Sequence, residues 1–374
     1  MIAAARKAAL GLLESHRRAG LDMLILFVTS RCNAKCDTCF YHLRLNDGRD
    51  LSGEELARFA ASLPPFRDLW LSGGEPLLRP DLDRVVGEFV ERCFVRTVDL
   101  PINGLFPAAA AAFAREFARR HQETSLYINV ALDGLGADHD RVRGVPGNFE
   151  KTEQTLLELA ALRGDCPRLR VHVNTVVCVA NLGQIEAIGE HVWSRHRADG
   201  HFFQVIRGAA KDPALLEVPL SELERIHRYA LGVHRRYADR LFGDRGRFER
   251  WLKTSAYMGT FLTHYETQRA VIAGATPWAF PCVAADRALV VEHDGTVRAC
   301  ELRSQLANLR DFDMDYRRLL ASGLLQEEAR DIAEHPCPCT HVCFLHTSLK
   351  QSPKHLALLP VLGMVANRAG NLSR

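Results

Sequence analysis

Six short apolar runs, each followed by a helical pattern, constrain the fold of this chain more than any other feature of its sequence. The runs are rich in Val, Ile, Leu and Phe and alternate only weakly, as expected for strands covered on both faces. They span residues 23–29, 68–71, 95–101, 126–132, 169–177 and 201–206. This alternation predicts an α/β fold in which six βα units form a partial (β/α)6 barrel of the TIM type.

Capping residues mark helix starts between and after these runs. Ser52 with Glu55 and Ser221 with Glu224 both match the capping box, in which a hydroxyl and a carboxylate bind the first free amides of a helix. Residues 81–93 and 149–163 each place apolar side chains on one helical face. We therefore expect amphipathic helices that cover the outside of the barrel.

With 374 residues the chain is long enough for one large α/β domain and a smaller one, and its 47% of hydrophobic residues can fill a sizeable core. We expect an N-terminal amphipathic helix over 1–22, the barrel over 23–208, a helical bridging segment over 209–281 and a small domain over 282–374. In the bridge, the basic and aromatic stretch 235–253 is expected to be a solvated helix face with inward aromatics, with a site for an anionic substrate as the alternative. Its place between the barrel and the small domain predicts that it forms a wall of the substrate cavity. The small domain begins with a hairpin for which Asp294-Gly295 predicts a two-residue turn.

The first of two cysteine groups directly follows the first apolar run. Cys32, Cys36 and Cys39 lie in the segment RCNAKCDTCFY. Thiolates at this spacing suit three irons of a 4Fe-4S cluster, which leaves the fourth iron free to bind a small molecule. In barrels of this kind the reactive groups lie at the carboxyl ends of the strands, where these cysteines fall.

The second group lies in the last quarter of the chain and consists of Cys282, Cys300, Cys337, Cys339 and Cys343. Cysteines clustered in this way do not form a secreted disulfide scaffold, and they predict metal binding in a reducing compartment, the cytoplasm. Cys93, Cys166 and Cys178 stand apart, in a predicted helix, loop and strand, and are interpreted as ordinary thiols.

Charge and hydropathy exclude several classes of protein. Lys and Arg number 48 against 45 Asp and Glu, a net charge of +3 that is too balanced for a protein whose main ligand is nucleic acid. The N-terminal segment lacks the continuous apolar core of a signal peptide, and the apolar stretch 355–365 is well short of the ~20 residues that a membrane span needs. We expect no nucleic-acid partner and no stable membrane insertion.

The segment SGGEP at 72–76 follows the second run and accompanies the first cysteine group. Together the two motifs resemble the radical S-adenosylmethionine (radical SAM) enzymes. The resemblance implies that the three cysteines hold the cluster and that its open iron chelates the amino and carboxylate groups of S-adenosylmethionine (SAM). It also assigns the SAM amino group to the segment Ser72, Gly73, Gly74 and Glu75. Glycines let the backbone approach a ligand closely, and a carboxylate can accept a proton from an ammonium.

Three further residues match positions that touch SAM in this family. VALDG at 130–134 followed by HDRVRG at 139–144 looks like the fourth-strand region of its SPASM and Twitch branch, where Arg143 would pair with the SAM carboxylate through planar paired donors. Asn103 and Asn174 match strand-end positions that commonly contact SAM, although Asn at a strand end also favours turns. Ala131 stands where the family often has Ser, so one ribose or carboxylate contact is missing or supplied elsewhere.

The second cysteine group resembles the same branch. Cys282, twelve residues, Gly295, four residues and Cys300 follow its pattern, and Cys339 with Cys343 keeps its terminal CxxxC spacing. Five cysteines imply one auxiliary 4Fe-4S cluster, as in the Twitch variant, because a full SPASM domain uses seven for two clusters. The implied ligands are Cys282, Cys300 and Cys343, with Cys337 or Cys339 as the fourth. The expected architecture is thus a partial barrel with a small C-terminal SPASM/Twitch-like Fe-S domain.

The resemblance also implies an activity, which is reductive cleavage of SAM to a 5′-deoxyadenosyl radical that takes a hydrogen atom from a substrate. The auxiliary cluster would accept an electron from the substrate radical, with oxidation or a new bond as the outcome. An external one-electron donor such as flavodoxin or ferredoxin is implied, and no general base is identifiable.

The substrate is expected to be a small molecule or natural-product intermediate. Only about twenty residues precede the first strand, too few for a separate leader-peptide-binding domain. A peptide substrate, as in enzymes that mature ribosomal peptides, stays open as the alternative.

Two hypotheses of other kinds have their own signatures. A non-catalytic binding protein stapled by zinc at both cysteine groups would be colourless and zinc-loaded, whereas cluster-bearing protein is brown and rich in iron and sulfide. An RNA-modifying radical SAM enzyme would carry a basic surface or an added RNA-binding domain, and the sequence indicates neither.

Overall fold

Six parallel strands and the helices between them form the first half of the chain in the computed structural model, which describes residues 20–275 and 278–371. The strands are β1 Met23–Thr29, β2 Asp68–Gly73, β3 Thr97–Ile102, β4 Ser125–Ala131, β5 Leu169–Val177 and β6 Gly200–Val205. The helices are α1 Gly53–Ser62, α2 Leu82–Cys93, α3 Pro107–Arg120, α4 Ala137–Arg143, α5 Asn148–Ala161 and α6 Ile185–Arg195. The predicted helix over 1–22 lies almost wholly outside the described residues.

The six strands are hydrogen-bonded in sequence order and all run parallel. β6 is an edge strand, so the barrel is open, and the predicted partial (β/α)6 architecture is confirmed. All seven residues of β1 are buried. Leu24 and Leu26 pack on the helices, and the alternate residues Met23, Ile25 and Phe27 face the lumen. Burial on both faces explains why this strand reads as a continuous apolar run.

The second half of the described chain begins with two long helices. A hairpin with a third short strand follows, and four more helices come after it. These elements are α7 Leu220–Phe242, α8 Arg247–Ile272, β7 Ala288–Val291, β8 Thr296–Arg298, β9 Ala307–Asn308, α9 Tyr316–Ala321, α10 Leu324–Glu334, α11 Val342–Lys350 and α12 Pro353–Asn371. β7 pairs in parallel with β1, from Met23 opposite Ala288 to Leu26 opposite Val291. The sheet therefore continues from the barrel into the C-terminal region, across the domain boundary expected at residue 282.

α11 fills the lumen beneath the carboxyl ends of the strands. The Thr347 hydroxyl donates to the Met23 sulfur over 3.2 Å, and the Lys350 ammonium lies 3.5 Å from the Asp68 carboxylate. Phe344 is fully buried in the same apolar cluster as Met23. Because α11 runs away from the strand ends, its first turn carries Cys343 towards the top of the barrel.

Local signals in the sequence were correct in part. The capping box of Ser52 and Glu55 is present at the start of α1. The predicted box of Ser221 and Glu224 is wrong, because α7 begins at Leu220 after Pro219 and has no side-chain cap. Pro219 already lacks a free amide and holds the extended backbone that leads into the helix, so the serine lies within the first turn.

The predicted two-residue turn is also wrong. Val291 pairs with Val297, and the Glu292 amide donates to the Thr296 carbonyl, so the hairpin loop holds three residues. The Gly295 amide closes a turn onto the Glu292 carbonyl, and Gly295 has a φ of 88°. Three-residue loops of this kind need a left-handed residue in that place, and glycine adopts it without strain.

The stretch 235–253 covers the end of α7 and the start of α8. Tyr237 packs inward as expected, but Phe248 and Trp251 are 58% and 46% exposed. None of these residues lines the cavity at the carboxyl ends of the barrel strands, where the first cysteine group lies. The expectation that this stretch forms a wall of that cavity is therefore wrong. Across residues 20–275 and 278–371, every helix is too short or too polar to cross a bilayer.

Buried neutral histidines make the stability of this fold depend on pH. Burial lowers the pKa of His227 in α7 to about 3, and the nearby Arg269 charge adds to the effect. The unfolded chain takes up the proton near pH 6.5, so stability is full above that pH and falls as the pH drops towards 3. We expect His227→Phe, which keeps the stacking on Tyr265 at 4.2 Å, to match the wild type at pH 7.

At pH 5 the His227→Phe variant should exceed the wild type by about 2 kcal/mol in free energy of unfolding. Urea unfolding followed by far-ultraviolet circular dichroism at the two pH values measures the difference. Leu157→Gln, at a residue that is 59% exposed and does not titrate, is the control and should not alter the pH dependence. Equal pH dependence in the wild type and His227→Phe would contradict the prediction.

Candidate active site

The loop that carries the first three cysteines is held at the end of β1 by polar side chains. The Cys32 amide donates to Asn46 Oδ1 over 2.9 Å, and Asn46 Nδ2 donates back to the Cys32 carbonyl over 3.2 Å. Asp50 accepts from the Ser30 amide and from the Thr29 hydroxyl. These bonds satisfy the backbone where the strand ends and fix the direction in which Cys32 leaves the sheet.

Two glycines at the end of β2 let that strand lie directly against the cysteine loop. The Gly74 amide donates to the Thr29 carbonyl over 2.8 Å, and the Glu75 amide donates to the Arg31 carbonyl over 2.7 Å. A Cβ on Gly73 would lie 2.3 Å from the Thr29 oxygen, and one on Gly74 would lie 2.1 Å from the Arg31 oxygen. The glycines are thus required by contact between two strand ends, in addition to any approach of a ligand.

Glu75 is buried and bound by backbone amides at the end of β3. Its carboxylate accepts from Asn103 N over 2.7 Å and from Leu77 N over 3.1 Å. Burial raises the pKa of Glu75 to about 7, although the two amides and the Arg143 charge oppose the rise. The Asn103 side chain in turn donates to Asn33 Oδ1 in the cysteine loop over 2.8 Å, which connects β3 to that loop.

Arg143 ends α4 and reaches the same place from another side. Its Nη1 lies 3.1 Å from the Asp133 carboxylate, which is fully buried, and its Nε is buried without a partner. The Lys35 amide donates to the Arg143 carbonyl over 3.1 Å, so the cysteine loop also rests on the end of this helix. The guanidinium therefore carries a positive charge next to the three thiols.

One cavity of about 300 Å³ unites these groups at the carboxyl ends of the strands. Its walls include eleven of the residues proposed from the sequence, namely Cys32, Cys36, Cys39, Ser72, Gly73, Gly74, Glu75, Asn103, Arg143, Asn174 and Cys343. Asn174 Oδ1 is buried there without a partner. The other four proposed cysteines, Cys282, Cys300, Cys337 and Cys339, do not line this cavity.

The thiols of the first cysteine group, Cys32, Cys36 and Cys39, are affected by both burial and charge. Burial raises the pKa of all three, to about 11 at Cys39, and the Arg143 charge opposes the rise. Buried sulfurs beside a cation suit a bound metal centre, because metal coordination provides the charge compensation that water cannot. The donor set at this end of the cavity, three sulfurs with a carboxylate and an amide nearby, fits the predicted cluster with its small-molecule ligand.

The spacing of the sulfurs also bears on zinc as the alternative. Sulfurs around one tetrahedral zinc ion lie about 3.8 Å apart, given a Zn–S distance of about 2.3 Å. Within the described chain, sets of three ligand atoms within 4.8 Å of one another occur at Glu153, His191 and His196 and at Asp47, Asp50 and His293. Among the described residues, neither cysteine group forms such a set.

The second cysteine group lies between the hairpin and α11. Burial raises the thiol pKa of Cys300, and the neighbouring Cys339 and Cys282 raise it further. Burial raises the pKa of Cys339 to about 12, with further effects from Cys337 and Cys282. Cys343 is buried, and burial raises its thiol pKa while the Arg207 charge opposes the rise. Which four of the five bind a cluster stays a prediction.

Sequence reasoning missed three residues that belong to this site, which are Asp133, Arg207 and Glu301. Asp133, inside the VALDG motif, accepts from the Val176 amide over 2.8 Å and pairs with Arg143, so it connects the ends of β4 and β5. Arg207 and Glu301 line the cavity from beyond β6 and from the hairpin. The motif gave a signal for Asp133, but Arg207 and Glu301 carry no local pattern and meet only through the tertiary fold.

Comparison with known proteins agrees with this geometry. Residues 26–188 match the family model of the radical SAM superfamily. A probable GTP 3′,8-cyclase from Methanococcus maripaludis is 29% identical over 194 residues, which is 51% of this chain and 60% of that protein. The chain therefore aligns with less than two thirds of the length of this relative.

Solved structures with the same fold span nearly the whole chain. The structure described as native anSMEcpe with bound AdoMet and Kp18Cys peptide is 17% identical, with a TM-score of 0.58, and the match covers 93% of this chain and 99% of that one. Streptococcus suis SuiB bound to precursor peptide SuiA is 13% identical, with a TM-score of 0.52, over 95% of this chain and 74% of that one. At such identities the likeness concerns the fold alone.

The barrel with its cysteine loop and glycine-rich strand end, residues 26–188 of this chain, is a radical SAM domain. Within the superfamily, its fold is that of the SPASM/Twitch branch. The resemblance drawn from the two sequence motifs is thereby confirmed.

The close contact between the end of β2 and the cysteine loop predicts that one methyl group added at Gly74 destabilises the protein. Gly74→Ala must move the Arg31 carbonyl and with it Cys32, because the new Cβ would lie 2.1 Å from that oxygen. We expect a loss of about 2 kcal/mol in free energy of unfolding, as for other overpacked sites, and incomplete assembly of the first cluster. Thermal unfolding and iron content of anaerobically reconstituted protein measure both effects.

Gly183→Ala is the matched control for Gly74→Ala. Nothing lies within 4 Å of a Cβ at Gly183, so stability should change by less than about 0.5 kcal/mol and iron content should stay the same. Normal stability and full iron in Gly74→Ala would show that the strand end is not as tightly packed against the loop as described.

Proposed function

We propose that this chain is a radical SAM enzyme that acts on a small-molecule or natural-product substrate in the cytoplasm, with help from an auxiliary 4Fe-4S cluster. Cys32, Cys36 and Cys39 hold the first cluster, and SAM binds beside it. The single observation that carries this proposal is the common cavity, whose walls contain the three cysteines, the SGGE segment and the strand-end residues expected to touch SAM. The fold thus brings residues that are far apart in the sequence to one cavity.

When bound, the cluster and SAM supply reductive cleavage of the sulfonium to a 5′-deoxyadenosyl radical. The residues of the chain bind and orient. Glu75, held by two backbone amides, is placed to accept from an ammonium, and Arg143 offers its unpaired Nε to a carboxylate. Asn174 presents a buried carbonyl oxygen without a partner. Apolar walls such as Ile25, Trp70 and Val205 exclude water from the same space.

An auxiliary cluster on the second cysteine group is supported by where that group lies. Cys343 lines the cavity, and Cys300 and Cys282 belong with it to the apolar cluster that surrounds β1 and β7. A one-electron acceptor in this position is close enough to the substrate space to favour oxidation or bond formation as the outcome. An external donor such as flavodoxin or ferredoxin completes the electron supply.

A peptide substrate is the second candidate. It is favoured by the two solved structures of the same fold that are described with bound peptides, each covering more than nine tenths of this chain. The curated relatives point instead to small molecules, since the first of them is named as a nucleotide cyclase. Production of 5′-deoxyadenosine with added peptides but with no small-molecule fraction would favour the peptide.

The first test of the proposed function is cleavage of SAM. Protein purified and reconstituted without oxygen should be brown, and with dithionite and SAM it should form 5′-deoxyadenosine, measured by liquid chromatography and mass spectrometry. Replacing Cys32, Cys36 and Cys39 by Ala should abolish this product while about four iron atoms per chain remain on the auxiliary group. A zinc-loaded, colourless protein, or an active triple variant, would refute the proposal.

The second test identifies the auxiliary ligands. In the triple variant, single changes to Ala at Cys282, Cys300 and Cys343 should each remove the remaining iron, because a 4Fe-4S cluster on three protein thiols in this setting is expected to be labile. One of Cys337→Ala and Cys339→Ala should retain it, which identifies the spare thiol. Full retention in Cys343→Ala would contradict the ligand set implied by the family pattern.

A further inference from the structure

Arg207 is a cavity residue to which neither the sequence motifs nor the proposed function gives a role. It follows β6 and lines the same cavity as the first cysteine group, and its side chain is 18% exposed. The guanidinium lies over the ring of Phe40 at 5.5 Å from the ring centroid, directly beyond Cys39. Among the residues that the structure describes, its one charged partner is Glu301.

The guanidinium of Arg207 is only weakly paired within the described residues. Its Nη2 lies 3.5 Å from Glu301 Oε2, beyond a good hydrogen bond, and the same oxygen already binds His341 Nε2. Its Nε is buried without an acceptor. A buried donor left without an acceptor costs free energy that an incoming oxyanion would recover, and a guanidinium has further donors with which to bind it.

The two cavity arginines differ in a way that separates their roles. Arg143 is hydrogen-bonded to Asp133 and its backbone supports the cysteine loop, so it belongs to the end of the cavity assigned to SAM. Arg207 stands beside Glu301 and close to Cys343, at the end formed by the C-terminal region. His341 and Phe40 hold its surroundings in place, through the Glu301 carboxylate and by stacking.

We propose that Arg207 binds an anionic group of the substrate, a carboxylate or a phosphate, and so makes the substrate of this enzyme an organic anion. The inference rests on the proposed function, because it places a substrate in the same cavity as SAM. The planar fork of a guanidinium matches both oxyanions with two parallel hydrogen bonds, and a site with few competing waters strengthens them. Glu301 and His341 act as positioning residues.

The test uses reconstituted holoenzyme with SAM and dithionite. A small-molecule extract of the native host is separated into fractions retained and not retained by an anion exchanger. We measure how far each fraction raises 5′-deoxyadenosine above the background without extract, together with loss or gain of mass in the extract. Wild-type enzyme should respond to a retained fraction, and phosphatase treatment of that fraction should remove the response for a phosphate but not for a carboxylate.

Variants then assign the response to the guanidinium. Arg207→Gln should lower the response on the order of 30-fold, as expected for loss of a charge-assisted pair. The response of each protein is expressed relative to its own iron content and its own background cleavage, and its SAM affinity is measured separately. Arg207→Lys keeps the charge but not the fork, so its maximal rate should stay near the wild type while half-saturation rises about tenfold. Arg119→Gln, at a side chain that is 71% exposed on α3, is the matched control.

A binding readout keeps the test independent of turnover. Inorganic phosphate and succinate, used as probes, should raise the melting temperature of the SAM-loaded wild type but not of Arg207→Gln. A response found in the unretained fraction, or equal probe effects in both proteins, would overturn the inference, as would the absence of both response and probe effect. Weaker SAM binding in Arg207→Gln would assign the residue to SAM instead. Absence of 5′-deoxyadenosine in every wild-type sample would refute the proposed function, while the probes still test Arg207.

Discussion

The close contact between the end of β2 and the cysteine loop is the constraint on which the rest of the site depends. Two backbone hydrogen bonds, from Gly74 to Thr29 and from Glu75 to Arg31, hold the loop where Cys32 can face the cavity. They form only because neither glycine carries a Cβ. The same backbone path places the Glu75 carboxylate beneath the loop, where the Asn103 amide fixes it. One steric requirement thus sets the relative positions of the thiols and the carboxylate.

Much of the fold could be predicted from the sequence because the signals are local. Strands β1 and β5 were predicted to the residue, since buried apolar runs with clear ends leave little choice of boundary. The cysteine and glycine motifs lie close to strand ends, so topology alone brings them together. The turn at Gly295 and the start of α7 were predicted wrongly, because the choice between similar turns or caps depends on a difference of about 1 kcal/mol that tertiary contacts outweigh.

The parts that the sequence did not reveal arise from contacts between distant segments. Arg207 and Glu301 have no motif, and their meeting depends on β7 pairing with β1 and on α11 entering the lumen. Likewise, the stretch 235–253 was expected beside the cavity from its place in the chain, but α7 packs on β6 at the open edge of the sheet, and Phe248 and Trp251 are exposed. Charge and aromatic content predicted a surface there, and only the fold shows which way it faces.

The pairing of β7 with β1 has a consequence for how the protein is made. Tyr41, next to the first cysteine group, is hydrogen-bonded to His293 across 252 positions of the chain. A ribosome must therefore synthesise most of the polypeptide before the inner wall of the barrel can close, and contacts of such long range form slowly. The surroundings of the first thiols are therefore complete only after translation has passed the hairpin.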